Sequence, residues 1–413
     1  MENINDLRKY GSELKSELKS ILEYWITYTV DEVNGGFIGQ IDHANNRYNE
    51  AAKGAVLNAR ILWAFSAAYN FEADDEYIKY AKRAYQYINQ YFTDKQYGGV
   101  YWSVNCLGEP LDAKKQVYAN AFVVYALAEY YKATLDGSVK DQAITLYNLL
   151  VEKSYDTQHT GYFEAYTRDW QPINDLRLSE KDANEKKSMN THLHVLEGYA
   201  NLYTIWPDDG LRQQIITLLQ NFSEHIIDEK SGHLHLFFDD EWNRRSTLVS
   251  YGHDIEASWL LLEAAEIIKD EQLISRFTNY ALKMADAALE GIDTTDGGLW
   301  YEYDATHGGL VREKHWWVQA EAMVGYLNAW QLTGEWKYAA ISLKLWEFVK
   351  SNIIDKVNGE WLWGVYADGK SMEHEDKVGI WKCPYHNSRT CIEIYRRTAQ
   401  YEQMLKPASS LNG

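Results

Sequence analysis

A glycine-marked turn with aromatic and apolar flanks recurs along the whole chain, and this repeat constrains the fold more than any other feature. It reads Gly35-Gly36-Phe37, Gly98-Gly99-Val100-Tyr101-Trp102 and Gly161-Tyr162-Phe163 in the first half. Gly232-His233-Leu234, Gly297-Gly298-Leu299-Trp300 and Gly359-Glu360-Trp361-Leu362-Trp363 continue it. Successive copies lie roughly 61 to 71 residues apart, the signature of a repeat architecture. Before each turn runs a stretch with apolar residues at i, i+3 and i+4 and charges on the opposite face. Leu7 to Tyr28, Asp75 to Tyr91 and Glu335 to Asn352 are examples. These read as solvent-facing helices. After each turn comes a helix that is apolar nearly all round, such as Val56 to Phe65 or Ala121 to Leu127. Such segments belong inside.

Six outer helices alternating with six inner ones, joined by short β-hairpin-like turns, can close into a ring. The expected fold is therefore all-α, an (α/α)6 barrel with short β-hairpin connections. An open solenoid of the same hairpins is the alternative, but solenoids carry more repeats and a less aromatic interior. Only five prolines occur and no Pro- or Gly-rich linker interrupts the pattern, so residues 1–413 are expected to form one catalytic domain. Between the third turn and its inner helix lies a charge-rich insertion, Asp175 to Lys187. A loop of that kind in a compact domain is a candidate lid. Lys406 to Gly413 reads as a frayed tail.

Several function classes can be set aside. A net charge of −19 repels polyanions, which argues against nucleic acid and anionic membranes as partners. No run approaches the ~18 apolar residues of a membrane span, and the N-terminus lacks a basic segment followed by an apolar one. Cys106, Cys383 and Cys391 lack metal-type spacing and fit a reduced cytoplasm. No Gly-rich nucleotide fingerprint occurs, because the Gly-Gly pairs sit in hairpin turns. A cofactor is not expected. The 16 Trp and 32 Tyr supply flat apolar faces with a polar edge, on which sugar rings stack, although most of them must simply fill the core.

Polar residues capable of chemistry cluster near the starts of the inner helices. They are Tyr118 and Asn120; Asn190, His192 and His194; His253 and Glu256; Trp316, Gln319 and Glu321; His386 and Arg389. Arg60 lies one to two turns inside the first inner helix. In a closed barrel these starts converge on one rim and line a single concave site. Asn190 and His194, four apart, share a helix face. His192 and His194, two apart, diverge by roughly 200°, so His194 faces the axis and His192 reads as a core residue. His253 can meet Glu256, and His386 can meet Arg389.

The competing readings are structural or metallic. Glu256 could serve only to hold a histidine tautomer, Arg60 could be an ion-pair partner, and Trp316, Trp317 and Trp381 could be core. The two histidines of a helical His-x-His cannot share one zinc ion, and no His-Glu-x-x-His occurs; no metal is expected. Neutral imidazole is a good base near pH 7, and a helix N-terminus disfavours imidazolium. Two such bases flanking a bound carbon could remove a proton from one face and return it to the other. A nearby arginine could stabilise the enediolate oxyanion. For an aldose, acid–base catalysis must also open and close the ring.

Five stretches carry a family resemblance. They are Lys53 to Arg60, Asn190 to His194, Tyr251 to Glu256, Lys314 to Glu321 and Trp381 to Arg389. Through them the chain resembles the N-acylglucosamine 2-epimerase superfamily, and most nearly its cellobiose 2-epimerase branch, over all six units. The resemblance implies an (α/α)6 barrel that epimerises C2 of the reducing-end sugar of β-1,4-linked disaccharides such as cellobiose, lactose and mannobiose. It implies His253 and His386 as the acid/base pair, with His386 also moving protons in ring opening. His194 and Arg60 would bind and polarise O1 and O2, Trp316 and Trp381 would stack on sugar, and Tyr118, Asn190 and Glu256 would complete the polar shell. Asp182 would touch the outer sugar. A monosaccharide aldose–ketose isomerase or an N-acylglucosamine 2-epimerase on the same scaffold is the alternative. A glycoside hydrolase needs two carboxylates across the scissile bond, which the pattern does not offer. A non-catalytic sugar-binding protein has no need of three convergent histidines. A closed single barrel suffices as a monomer.

Overall fold

The computed structural model describes residues 2–306 and 308–404, so the tail Lys406 to Gly413 lies outside the described residues. The chain alternates outer and inner helices throughout. It begins with α1 (Glu2–Tyr28), α2 (Ala55–Glu72), α3 (Asp75–Tyr87), α4 (Val117–Thr134), α5 (Gly137–Ser154) and α6 (Met189–Tyr203). It continues with α7 (Asp209–Asn221), α8 (Tyr251–Ile267), α9 (Glu271–Ala288), α10 (Trp316–Thr333), α11 (Trp336–Phe348) and α12 (Tyr385–Met404). The even-numbered helices form the inner ring: each packs on the next, and α12 packs back on α2. The odd-numbered helices surround them, with α1 against α12. This is the expected (α/α)6 barrel.

The composition of each helix explains its place. In α2 every residue from Ala55 to Ala68 is buried, and α4, α8 and α10 are buried over similar lengths. A helix that is apolar all round is stable only with neighbours on every side. Glycine lets inner helices approach: a Cβ on Gly198 would meet the Ala121 carbonyl oxygen at 2.8 Å, and one on Gly325 the Ile255 carbonyl oxygen at 2.8 Å. Among the described residues no helix is long and apolar enough to cross a membrane.

The repeated turn is more elaborate than its glycines. Each begins with an aspartate: Asp31, Asp94, Asp156, Asp228, Asp293 and Asp355. Its backbone N–H donates to the carbonyl of the residue five further on, as in Asp31 to Gly36 and Asp355 to Glu360. In five copies among the described residues one carboxylate oxygen accepts backbone N–H groups two and three residues ahead, as Asp94 does from Gln96 and Tyr97, while Asp293 accepts that of Thr295 alone. Five of the six copies use the other oxygen, or a neighbouring carboxylate with it, to hold a buried lysine from the strand or loop before the following inner helix. The pairs are Lys53–Asp31, Lys115–Asp94, Lys187–Asp156, Lys314–Asp293 and Lys377–Asp355, at 2.6 to 2.9 Å. Losing one partner would strand the other charge in the interior, at a cost of about 3–5 kcal/mol.

Short antiparallel ladders link neighbouring units at this end of the barrel. Lys53–Gly54 pairs with Ser103–Val104, Lys115–Gln116 with Ala165–Tyr166, and Lys187–Ser188 with Phe237–Phe238. Val249–Ser250 pairs with residues of Glu302–Asp304, and Glu313–His315 with Gly364–Tyr366. A bridge between Ile41 and Val378 closes the circle. The inner helices therefore all begin at one rim, held there by strand pairing and ion pairs.

Candidate active site

A second regularity aims the side chains at that rim. Early in each inner helix sits a polar residue turned outward. Asn120 accepts the N–H of Val100 at 2.9 Å and donates to Gln116; Gln319 accepts from Leu299 at 2.8 Å and donates to His315. His192 accepts from Tyr162 at 2.8 Å through Nε2, and Asp254 accepts from Leu234 at 2.8 Å. Asn58 donates to Gly54 and Asn387 to Glu360. All but Asn58, which bonds only to the cap of its own helix, stitch helix to turn. Asn120 and Gln319, grouped by sequence with the chemically capable residues, are thus structural anchors, as His192 was expected to be.

Two residues beyond each anchor, on the opposite helix face, stand Arg60, Phe122, His194, Glu256, Glu321 and Arg389. One comes from each inner helix, and together they ring the axis. His253 and His386 each precede an anchor by one residue. Repeat, anchor and helical period together place the reactive side chains at one level.

They line a cavity of about 480 Å³. Arg60, Tyr118, Asn190, His194, His253, Glu256, Trp316, Trp381, His386 and Asp182, the residues expected at the site, all line it. From the insertion, Leu178 to Asp182 form one wall. Asp182 braces this segment by accepting from the backbone N–H and the hydroxyl of Ser179, at 2.9 and 3.0 Å through one oxygen. Tyr301, Glu302, His315, Trp363 and Glu375 also line the cavity. None of them was singled out as a site residue, although His315 and Trp363 fall in stretches the sequence marks, because they come from strands and loops rather than helix starts.

The histidines have different partners. His194 Nδ1 lies 2.8 Å from Glu197, and His386 Nδ1 lies 2.6 Å from Glu321. His253 Nδ1 lies 2.8 Å from the Ser250 hydroxyl. An ionised carboxylate only accepts, so His194 and His386 carry their proton on Nδ1 and keep a lone pair on Nε2. Among the described residues none of the three Nε2 atoms has a hydrogen-bond partner. The expected meeting of His253 with Glu256 is replaced by the serine contact. Glu256 instead accepts from Arg389 at 2.8 Å, and Arg389 also donates to Glu321 at 2.6 Å and to Glu197. Arg389 is not hydrogen-bonded to His386 but holds the carboxylate that holds it. Tyr385 donates to Glu197 as well.

Burial dominates the electrostatics. It pushes His253 down to about 3 and His386 well below the ordinary imidazole range, with Arg60 and Arg389 adding to the effect on His386. His194 is lowered mainly by burial, against the pull of Glu197. The histidines are therefore neutral at pH 7, for a stronger reason than the helix N-terminus. Burial alone would raise Glu197, but Arg389 and His194 outweigh it and hold the carboxyl at about 2. Burial, helped by Glu321, raises Glu256 to about 8, and burial also raises Glu321; Arg389 offsets both only in part.

Unsatisfied polar atoms mark the rest of the lining. Arg60 donates to the Tyr118 hydroxyl at 2.8 Å and lies 4.2 Å from the centre of the Phe122 ring, yet its Nε has no partner. Asn190 Oδ1 and Trp316 Nε1 are likewise buried and unpartnered. Buried polar groups are normally paired, so these are points where a ligand can complete the bonding. Trp317 lies against both bases, its ring 4.8 Å from His253 and 5.7 Å from His386. Glu256, Glu321 and His386 bring ligand-type atoms within 4.8 Å of one another. Arg389 already binds both carboxylates, so its guanidinium stands where a metal cation would.

Residues 36–389 match the N-acylglucosamine 2-epimerase family model. The chain belongs to this family. The cellobiose 2-epimerase of Bacteroides fragilis is 49% identical, over 92% of this chain and 97% of its own length. That of Dictyoglomus turgidum is 39% identical over 95% and 100%. The solved structure of the cellobiose 2-epimerase from Bacillus thermoamylovorans superposes with a TM-score of 0.90 at 38% identity, covering 94% of this chain and all of that one.

Proposed function

We propose that the protein is an isomerase that inverts C2 of the reducing-end sugar of β-1,4-linked disaccharides, with cellobiose, lactose and mannobiose as its substrate class. The observation that carries this reading is three neutral imidazoles, each with a bare Nε2, around one tryptophan-lined cavity. The likeness to cellobiose 2-epimerases over nearly the whole chain supports it.

In ring opening His386 takes the O1 proton while O5 gains one from solvent. His253, a neutral base, then removes the proton from C2 of the open-chain aldose. The charge that develops on O1 meets the Arg60 guanidinium and His194. His386, carrying the proton taken from O1, delivers it to the opposite face of C2. Ring closure returns the proton on His253 to O1 and that on O5 to solvent, so no net proton is consumed. Trp316 and Trp381 stack on the sugar, Tyr118, Asn190 and Glu256 hold its hydroxyls, and Asp182 reaches the outer ring. Bases lowered this far retain their lone pair in mild acid, and positioned proton transfer is worth about 10²–10⁴-fold.

The closed ring encloses the cavity, and we take residues 1–413 as one catalytic domain, active as a monomer. The free thiols Cys106, Cys383 and Cys391 support a cytoplasmic setting.

Incubation with cellobiose in D2O, followed by NMR, tests the reaction. A mannose-type reducing end with deuterium at C2 and an intact glycosidic bond is expected. Free glucose would indicate hydrolysis instead, and an unchanged spectrum would remove the catalytic claim for that sugar.

A further inference from the structure

The two ends of the cavity differ in what they offer a ligand. At the helix starts there are donors: Arg60, the Trp316 Nε1 atom and the Tyr118 hydroxyl. Toward the mouth, built from the Leu178–Asp182 wall and the loops that carry Tyr301 and Glu375, the chemistry reverses. Asp182, Glu302 and Glu375 line this part, with Glu180 at its exposed edge. Among the described residues Lys181, 6.0 Å from the Tyr301 ring, opposes them, and Arg177, itself paired with Asp175, acts on Asp182. His315 adds no positive charge, because burial keeps it neutral. It adds no free donor either: its Nε2 is held by Glu313 at 2.9 Å and its Nδ1 is a bare acceptor. The carboxylates are close enough to act on one another: burial raises Glu302 to about 7, and Asp182 and Glu313 add to the effect. Among the described residues no cation holds Glu302 by a hydrogen bond, so the charge it carries above pH 7 is left for the ligand to meet.

A lining of acceptors with excess negative charge suits hydroxyl and ammonium groups, and repels oxyanions. We infer that the mouth selects the outer sugar by charge: it takes neutral or amino-bearing rings and rejects rings that carry a carboxylate or phosphate. This rests on the proposed reading of the site as a disaccharide epimerase, with the outer ring at the mouth.

The test compares three disaccharides that share a reducing-end glucose: cellobiose, glucuronosyl-β-1,4-glucose and glucosaminyl-β-1,4-glucose. Epimerisation is followed by NMR, and binding by calorimetry, at pH 8 in low salt, where Glu302 is ionised. The glucuronosyl compound should fall about ten- to hundredfold below cellobiose in kcat/KM, mostly through KM, and equally in affinity. The glucosaminyl compound should match or exceed cellobiose. Raising salt to about 0.5 M should narrow the glucuronosyl gap, because exposed charges are then screened. Glu302→Gln should narrow it too, with cellobiose as the reference in the same variant; Glu375→Gln serves if that variant fails to fold. A glucuronosyl compound within about threefold of cellobiose overturns the inference. So does a gap that neither salt nor either substitution moves, since the exclusion is then steric, and so does a tenfold loss with the amine. If no disaccharide is epimerised, the functional reading falls, and the calorimetric ratios still decide the charge selection.

Discussion

The cavity at the helix starts measures about 480 Å³, and a second one at the far ends of the same helices measures about 420 Å³. The far cavity is lined by Trp63, Tyr125 and Trp259 and by many charges. Those charges largely satisfy one another. Glu129 takes Lys132 at 3.0 Å, and Glu393 takes Arg397 at 3.2 Å and Arg396 at 3.7 Å. At the near end the three histidines keep open Nε2 atoms, and Arg60, Asn190 and Trp316 keep unpartnered ones. The far end has unpartnered atoms too, Trp63 Nε1 and Arg389 Nε, so neither size, aromatic content nor unspent bonding capacity distinguishes a working site from a gap between helix ends; free imidazole bases do. The two hollows share a wall, since Glu197 and Arg389 line the far cavity while anchoring His194 and the Glu321–His386 pair of the near one.

The largest effect should come from the near end. His253→Ala and His386→Ala should each lower kcat/KM for cellobiose by about 10³- to 10⁴-fold while leaving the helical circular dichroism intact. Substantial turnover in either variant removes that residue as an essential base. Next is the shared wall. Arg389→Met would leave Glu197, Glu256 and Glu321 buried without their common cation, at a cost of about 3–5 kcal/mol in urea unfolding, and would lower activity by loosening both histidines. A variant as stable as the parent would show that the wall is not held by charge.

The smallest effect belongs to the far end. Glu263 lines that cavity and makes no ion pair among the described residues; burial, helped by Glu393, raises it to about 7. A carboxyl whose folded value lies above its unfolded value binds the extra proton only when folded. The native state is thus penalised as pH climbs from about 4.5 to above 7. Glu263→Gln should stabilise the protein by about 1–2 kcal/mol at pH 8 and by little at pH 5, with kcat/KM within about twofold of the parent. A large loss of activity would falsify the contrast between the two ends.

Much of this was legible without coordinates. Six glycine turns with alternating amphipathic and wholly apolar helices led to the ring, and polar residues at the inner starts led to eight residues that line one cavity; Trp381 and Asp182 joined them only through the family resemblance. The signal that separates anchor from site was present as well. Asn120, His192, Asp254 and Gln319 recur at one helical register, and the residues two beyond them face the axis. The argument that split His192 from His194 applies in every unit, but it becomes visible only once the repeats are aligned by their turns. The aspartate that opens each turn and its lysine partner, some 21 to 31 residues on, could have been found by the same alignment.

Local periodicity and turn chemistry act over a few residues, so the sequence by itself determined the helices, their alternation, the closing turns and which residue types gather at one rim. Pairing across the barrel is another matter. That Glu256 answers to Arg389 rather than to His253, that Glu197 and Glu321 set the histidine tautomers, and that Glu302 and Glu375 shape the mouth depend on which helices and loops close on one another. Burial, the main cause of the lowered histidines, exists only after that closure. Only the tertiary structure could decide it, because desolvation and long-range ion pairing are properties of the packed ring and not of any segment within it.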